Sequence, residues 1–144
     1  MEALVADATE KGAKVLLGGA RHELGQNFYQ PTLLSNVNDT MQLANEEIFG
    51  PIAAVQTFTS EEEVVAKANA TEFGLAAYFF TRDVGRVMRV SEDLEYGIVG
   101  SNSGVFSTEV APFGGWKQSG LGSEGGKEGI ADFYDTKFHS LGGL

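Results

Sequence analysis

The sequence contains no cysteine. That absence excludes disulfides, thiolate metal centres and any cysteine nucleophile supplied by the chain itself. Histidine is nearly as scarce: His22 and His139 are too few and too far apart in sequence to suggest zinc, so no metal site is expected. Basic residues are also in short supply, with ten Lys and Arg against twenty Asp and Glu giving a formal net charge of -10. Such a chain repels the phosphates of nucleic acid and the anionic face of a membrane, and neither is an expected partner. No apolar run approaches the roughly 18 residues that a membrane span needs. The opening Met1-Glu2-Ala3-Leu4-Val5-Ala6-Asp7 is acidic and soon polar, the pattern of a soluble, cytoplasmic protein. Internal repeats, low-complexity tracts and linkers rich in proline and serine are missing. The length of 144 residues suffices for one domain.

Glycine, by contrast, is plentiful and uneven: seven fall in residues 1–96 and twelve in the last 48. The C-terminal third is therefore rich in positions without a Cβ, as tight turns and close approaches to a ligand require. Leu4, Val5 and Ala8 recur at helical spacing between Glu2 and Lys11, and Lys14 to Leu17 is a short apolar run closed by Gly18-Gly19. Residues 28–37 read as extended around Pro31, and residues 39–47 as a short helix feeding the turn at Gly50-Pro51.

A regular rhythm follows. Residues 52–58 are strand-like, and Ser60-Glu61-Glu62-Glu63 is a capping box opening a helix with Val64, Val65 and Ala68 on one face. Residues 76–81 form an apolar strand. Asp83 opens a second helix striped by Val84, Val87, Met88 and Leu94, and Ile98-Val99-Gly100 is a third strand. Strand, helix, strand, helix, strand predicts a mostly parallel α/β sheet with right-handed crossovers, covered by helices. A parallel sheet needs cover on both faces, and two helices plus the N-terminal one supply little. Residues 124–131 read as helical, and residues 133–141 as a strand with no obvious partner in the chain.

Two pattern matches fail on context. Gly120-Leu121-Gly122-Ser123-Glu124-Gly125 spells the dinucleotide pattern G-x-G-x-x-G, but it follows no strand and lacks the acidic residue some twenty positions on. A phosphate loop of the Walker type fails because Gly120, at the right spacing from Gly115, is followed by Leu121 instead of lysine. Two other segments are stronger. In Glu46-Glu47-Ile48-Phe49-Gly50-Pro51, a carboxylate and an aromatic two residues apart sit at a rigid corner. They suit a ligand with hydroxyls and a flat ring. A solvated acidic pair beside a core phenylalanine would read the same way. Pro112-Phe113-Gly114-Gly115-Trp116-Lys117-Gln118-Ser119-Gly120 is either a ligand-contacting loop or a packed surface turn.

Glu46 to Pro51, followed some sixty residues later by Pro112 to Gly120, resembles the C-terminal part of the aldehyde dehydrogenase superfamily, whose members oxidise aldehydes with NAD or NADP. The resemblance extends from Lys11-Gly12-Ala13-Lys14 through Gln30-Pro31-Thr32-Leu33 to Gly142-Gly143-Leu144, and is strongest to the succinate-semialdehyde branch. It implies an NAD or NADP cofactor whose nicotinamide ribose meets Glu47 and whose ring meets Phe49. It implies that Phe113 lines the aldehyde entrance and that Ser107 helps hold a distal carboxylate, with Ser103 and Thr108 as neighbours able to serve instead. A hydroxyl suits an anionic aldehyde, because a carboxylate needs hydrogen-bond donors.

The family's cysteine nucleophile, its glutamate base and its dinucleotide-binding sheet all lie before the part matched here, so no catalytic residue is assigned to this chain. The expectation is a C-terminal fragment or truncated reading frame, with Met1 an internal or engineered start. Residues 1–132 would be the C-terminal part of a catalytic domain, and residues 133–144 the oligomerisation strand, which pairs in a homo-oligomer, and the C-terminus. The fragment alone would be inactive, and its partner would be a small-molecule aldehyde in the complete enzyme. The alternatives are an assembly module without a catalytic role and, in third place, a free-standing binder of small carboxylates.

Overall fold

A computed structural model describes residues 1–105 and 108–143, and the chain divides into two compact units, Met1–Thr59 and Ser60–Leu144. The first unit begins with helix α1 (Glu2–Glu10), followed by strands β1 (Lys14–Leu17), β2 (Thr32–Ser35) and β3 (Ile52–Ala54). They form one sheet in the order β1-β2-β3, with β1 antiparallel and β3 parallel to β2. Val5 and Ala8, one helical turn apart, turn the same face of α1 onto Leu34, Val37, Met41 and Leu43. Asp7 ties the other end of that contact, accepting from the backbone N–H of Gln42 at 2.8 Å and pairing with Lys11 at 2.6 Å. The helix expected over residues 39–47 is one 3-10 turn, Gln42–Ala44. The strand expected over residues 52–58 stops at Ala54.

The second unit holds helices α2 (Glu61–Asn69) and α3 (Val84–Asp93) and six short strands. These are β4 (Phe73–Gly74), β5 (Ala76–Phe79), β6 (Ile98–Ser101), β7 (Phe113–Gly114), β8 (Trp116–Lys117) and β9 (Ser123–Glu124). Both helices are capped as their sequences predict. Ser60 Oγ accepts from Glu63 N–H at 3.2 Å, and Asp83 Oδ1 accepts from Arg86 N–H at 3.1 Å. Strands β5 and β6 run parallel in register from Ala76↔Ile98 to Phe79↔Ser101, joined through α3. Strand β3 does not extend that pair, since it belongs to the sheet of the first unit. The expected series of three strands is thus shared between two sheets.

Two further expectations, the stripe on α3 and the helix over residues 124–131, are corrected here. The buried side of α3 carries Val90 and Leu94, while Val84 and Met88 are exposed at 77% and 59%. Val87, Val90 and Leu94 share a face at 100° per residue, and Val84 and Met88 lie roughly 90–130° around from it. Residues 124–131 form no α-helix. Gly125 and Gly126 hold φ of +68° and +58°, the wrong hand for one, and only a 3-10 turn at Ala131–Phe133 follows. Residues 134–143 form no strand among the described residues. A strand exists only through its ladder partner, and no described segment supplies one.

Candidate functional site

In the first unit, the Glu46–Pro51 corner is anchored on both sides. Before it, Asn45 Nδ2 donates to the carbonyls of Asp39 (2.9 Å) and Met41 (3.1 Å), and Gln42 Nε2 donates to Glu46 Oε1 at 2.8 Å. After it, the Pro51 carbonyl accepts from Thr32 N–H at 2.8 Å, which fuses the corner to the start of β2. The Met1 side chain lies against Gly50, in the space that a Cβ there would enter. Ile48 packs against the core cluster. Its neighbours Glu47 and Phe49 both face solvent, with Phe49 88% exposed.

Phe49 also sits at φ +38°, in the left-handed region that a bulky side chain rarely occupies. Holding it there costs on the order of 1–3 kcal/mol, and such strain clusters at ligand-contacting sites. The core-phenylalanine alternative is thereby set aside. The aromatic is displayed, with the Glu47 carboxylate two residues away and without a partner among the described residues. A recess of about 440 Å³ lined by Leu17, Thr32, Gly50, Pro51 and Ile52 lies at the foot of the corner.

In the second unit, Phe113 stands on β7 directly opposite Glu124 of β9. It is half-exposed and lines two adjoining cavities. One, of about 460 Å³, is shared with Ile98, Thr108, Pro112 and Glu124. The other, of about 430 Å³, is bounded by Leu75, Ser119, Asp132 and several glycines. Of the three hydroxyl candidates, Thr108 therefore shares a cavity with Phe113. Ser103 instead donates to the Val105 carbonyl at 2.8 Å in a local turn. Ser107 lies outside the described residues.

The remainder of the Pro112–Gly120 segment is a brace. Lys117 Nζ donates to the carbonyls of Asn69 (2.8 Å) and Thr71 (3.1 Å) and pairs with Glu95 at 2.6 Å, a cation at the C-terminal end of α2. Ser119 Oγ accepts from Gly74 N–H at 2.9 Å. Tyr96 Oη donates to the Ala68 carbonyl at 2.7 Å, and burial pushes its phenol above the usual range. Within this segment Phe113 faces a cavity, while Lys117 and Ser119 hold the turn. In the Gly120–Gly125 segment, Gly122 lies against the Asp132 carboxylate, which also accepts from Ser123 N–H at 3.2 Å. An anion placed there would meet a carboxylate.

Glu124 and Asp132 escaped the sequence reading because nothing in their local pattern marks them. They reach the cavities only through the β7–β9 pairing and the turn after it. No described group of three or more His, Asp or Glu is arranged to hold a metal ion, and no described helix is long and apolar enough to cross a membrane.

A braced corner that displays a carboxylate with an aromatic, and a glycine-rich turn that offers a phenylalanine to a cavity, are the two features by which the sequence resembled the aldehyde dehydrogenases. Residues 1–139 match the aldehyde dehydrogenase family, and the chain belongs to it. Among its relatives are a 3-sulfolactaldehyde dehydrogenase of Pseudomonas putida, 56% identical over all 144 residues, and an NADP(+) succinate-semialdehyde dehydrogenase of Escherichia coli, 56% identical over 99% of the chain. The chain spans about 30% of the length of each. Its fold is similar to the crystal structure of succinate-semialdehyde dehydrogenase from Burkholderia pseudomallei, with 58% identity and a TM-score of 0.89 over 92% of this chain and 27% of that one. It is also similar to a Mycobacterium tuberculosis aldehyde dehydrogenase complexed with NAD+, with 39% identity and a TM-score of 0.84 over 92% of this chain and 28% of the other.

Proposed function

We propose that the chain supplies the nicotinamide-ribose contact and the substrate mouth of an NAD- or NADP-dependent oxidoreductase that converts succinate semialdehyde to succinate. The observation that carries this reading is the corner at residues 46–51, where backbone strain displays Phe49 beside an exposed Glu47. The Glu47 carboxylate accepts from the ribose hydroxyls, and the Phe49 ring offers a flat apolar face to the nicotinamide. The bound dinucleotide supplies the hydride acceptor. In the mouth, Phe113 lines the approach of the aldehyde and the hydroxyl of Ser107 donates to the distal carboxylate. A succinate-semialdehyde substrate is supported by relatives whose names denote aldehydes carrying a second, anionic group.

The chain has no cysteine, so a thiohemiacetal needs a nucleophile from another polypeptide segment, and the 144 residues alone are inactive. Residues 133–141, with Phe138 and Leu141 exposed, become a strand when a neighbouring chain offers an edge, giving a homo-oligomer. The deciding experiment combines the chain with a separately expressed N-terminal portion of an aldehyde dehydrogenase. Aldehyde-dependent NAD(P)H formation that neither part shows alone is expected. A mixture that assembles without activity would favour a purely architectural role, and light scattering that gives a clean monomer for the intact chain at high concentration would refute self-association.

A further inference from the structure

The parallel pair β5–β6 ends in an unusual way. The last regular ladder bond runs from Asn102 N–H to the Phe79 carbonyl at 2.9 Å. A parallel strand would continue by setting the next peptide unit against Thr81, but Asn102 turns away with φ of +54°. Its side chain takes over: Nδ2 donates to the Thr81 carbonyl and Oδ1 accepts from Thr81 N–H, both at 2.8 Å. A primary amide is chemically a peptide unit, with one acceptor and a donor in the same plane. Asparagine is also among the few residues that tolerate the left-handed region. The hydroxyl of Thr81 in turn accepts from the backbone N–H of Asp83, the residue that caps α3. Two side chains, Asn102 and Thr81, thus join the exit of β6, the exit of β5 and the start of α3.

We propose that Asn102 is a positioning residue: its amide completes the β5–β6 ladder in place of the backbone, releasing the main chain in a fixed direction into the segment that carries Thr108 and Phe113. Ligands of open parallel sheets bind outside the carboxyl ends of the strands, which is where this clamp sits. Gln is one methylene too long to mimic the peptide, Asp keeps the acceptor but loses the donor, and Gly keeps the backbone turn but loses both. This assignment rests on the functional reading above.

Its test has two arms. In the 144-residue chain, Asn102→Gly should speed hydrogen exchange at the Thr81 amide at least about tenfold while leaving the buried Val90 amide of α3 unchanged. Asn102→Asp, which retains the acceptor, should keep Thr81 protected. An unchanged Thr81 amide in Asn102→Gly overturns the clamp. In the reconstituted enzyme, Asn102→Gly should raise KM for succinate semialdehyde about tenfold with kcat nearly unchanged, Asn102→Asp should raise it less, and an uncharged aldehyde should be little affected. Equal loss of kcat on both aldehydes at constant KM means that the amide only supports folding, and overturns the positioning role. Absence of activity with the native Asn102 sinks the functional reading instead, and the exchange arm then decides the clamp by itself.

Discussion

Residues 1–59 bury seven apolar side chains in one cluster, whereas the described residues from 60 onward bury only Val90 and Leu94. The second unit is the larger, and it exposes Leu75, Tyr78, Phe80, Val84, Met88, Phe113, Trp116 and Phe133. What holds it together is polar. Asn69 bonds both the Asp93 carbonyl (2.7 Å) and the Glu95 N–H (2.9 Å), Lys117 spans α2 and Glu95, and Glu61 accepts from Arg86 Nε and from both Nε and Nη2 of Arg89. Net hydrogen bonds contribute about 0.5–1.5 kcal/mol each and exposed ion pairs less, while a fully buried large apolar side chain contributes about 1.5–3 kcal/mol. The first unit therefore has its own hydrophobic driving force. The second has the apolar surface of a core without the covering layer that a parallel pair such as β5–β6 requires. Length alone does not make a core; a segment shaped to be an inner layer stays open until another segment covers it.

The sharpest way to break this contrast is to attack the first core. Leu34, fully buried, should lose about 2–5 kcal/mol on Leu34→Ala, measured by denaturant unfolding. If the substitution is nearly neutral, the first unit has no autonomous core. Next in size, Lys117→Met should cost about 1.5–3 kcal/mol, since it leaves the Asn69 and Thr71 carbonyls and Glu95 without their charged donor. That loss should appear as faster exchange throughout residues 60–120 with residues 1–44 unaffected. A spread of the effect into the first unit would contradict the division.

Acid should also separate the two. The guanidinium groups of Arg89 and Arg86 hold the Glu61 carboxyl at about 2, below its ordinary 4.5. A folded-state value below the unfolded one gives stability that is fully present above the unfolded value and is lost as pH falls from about 4.5 through about 2. Opening of the α2–α3 region should therefore rise in that window, and Glu61→Gln should flatten the dependence; an unchanged profile in the variant would remove the pair from the account. The smallest effect on folding belongs to the proposed site. Phe49→Gly removes an exposed ring and relieves the strain of the positive φ, a gain that the backbone entropy of glycine offsets in part, so stability should not fall. Cofactor-dependent turnover in the reconstituted enzyme should nevertheless fall. A large loss of stability would mean that Phe49 is structural.

Much of this was legible locally. The caps at Ser60 and Asp83, the helix at Glu2–Glu10 and the strand at Lys14–Leu17 follow from hydrogen bonds and periodicities that span a few residues, so the sequence by itself determined them. The two motifs that mark the family, at Glu46–Pro51 and Pro112–Gly120, were likewise visible as strings. What the strings do was decided by tertiary structure. That Phe49 points outward goes with the packing of its neighbour Ile48 on the core and the bond from Thr32 to Pro51, contacts between residues far apart in the chain. That Val84 and Met88 stay exposed, that residues 124–131 turn where a helix was expected, and that residues 134–143 lack a ladder all depend on what lies beside them. Periodicity records which faces are apolar, but burial and pairing belong to two surfaces at once, and a sequence holds only one of them.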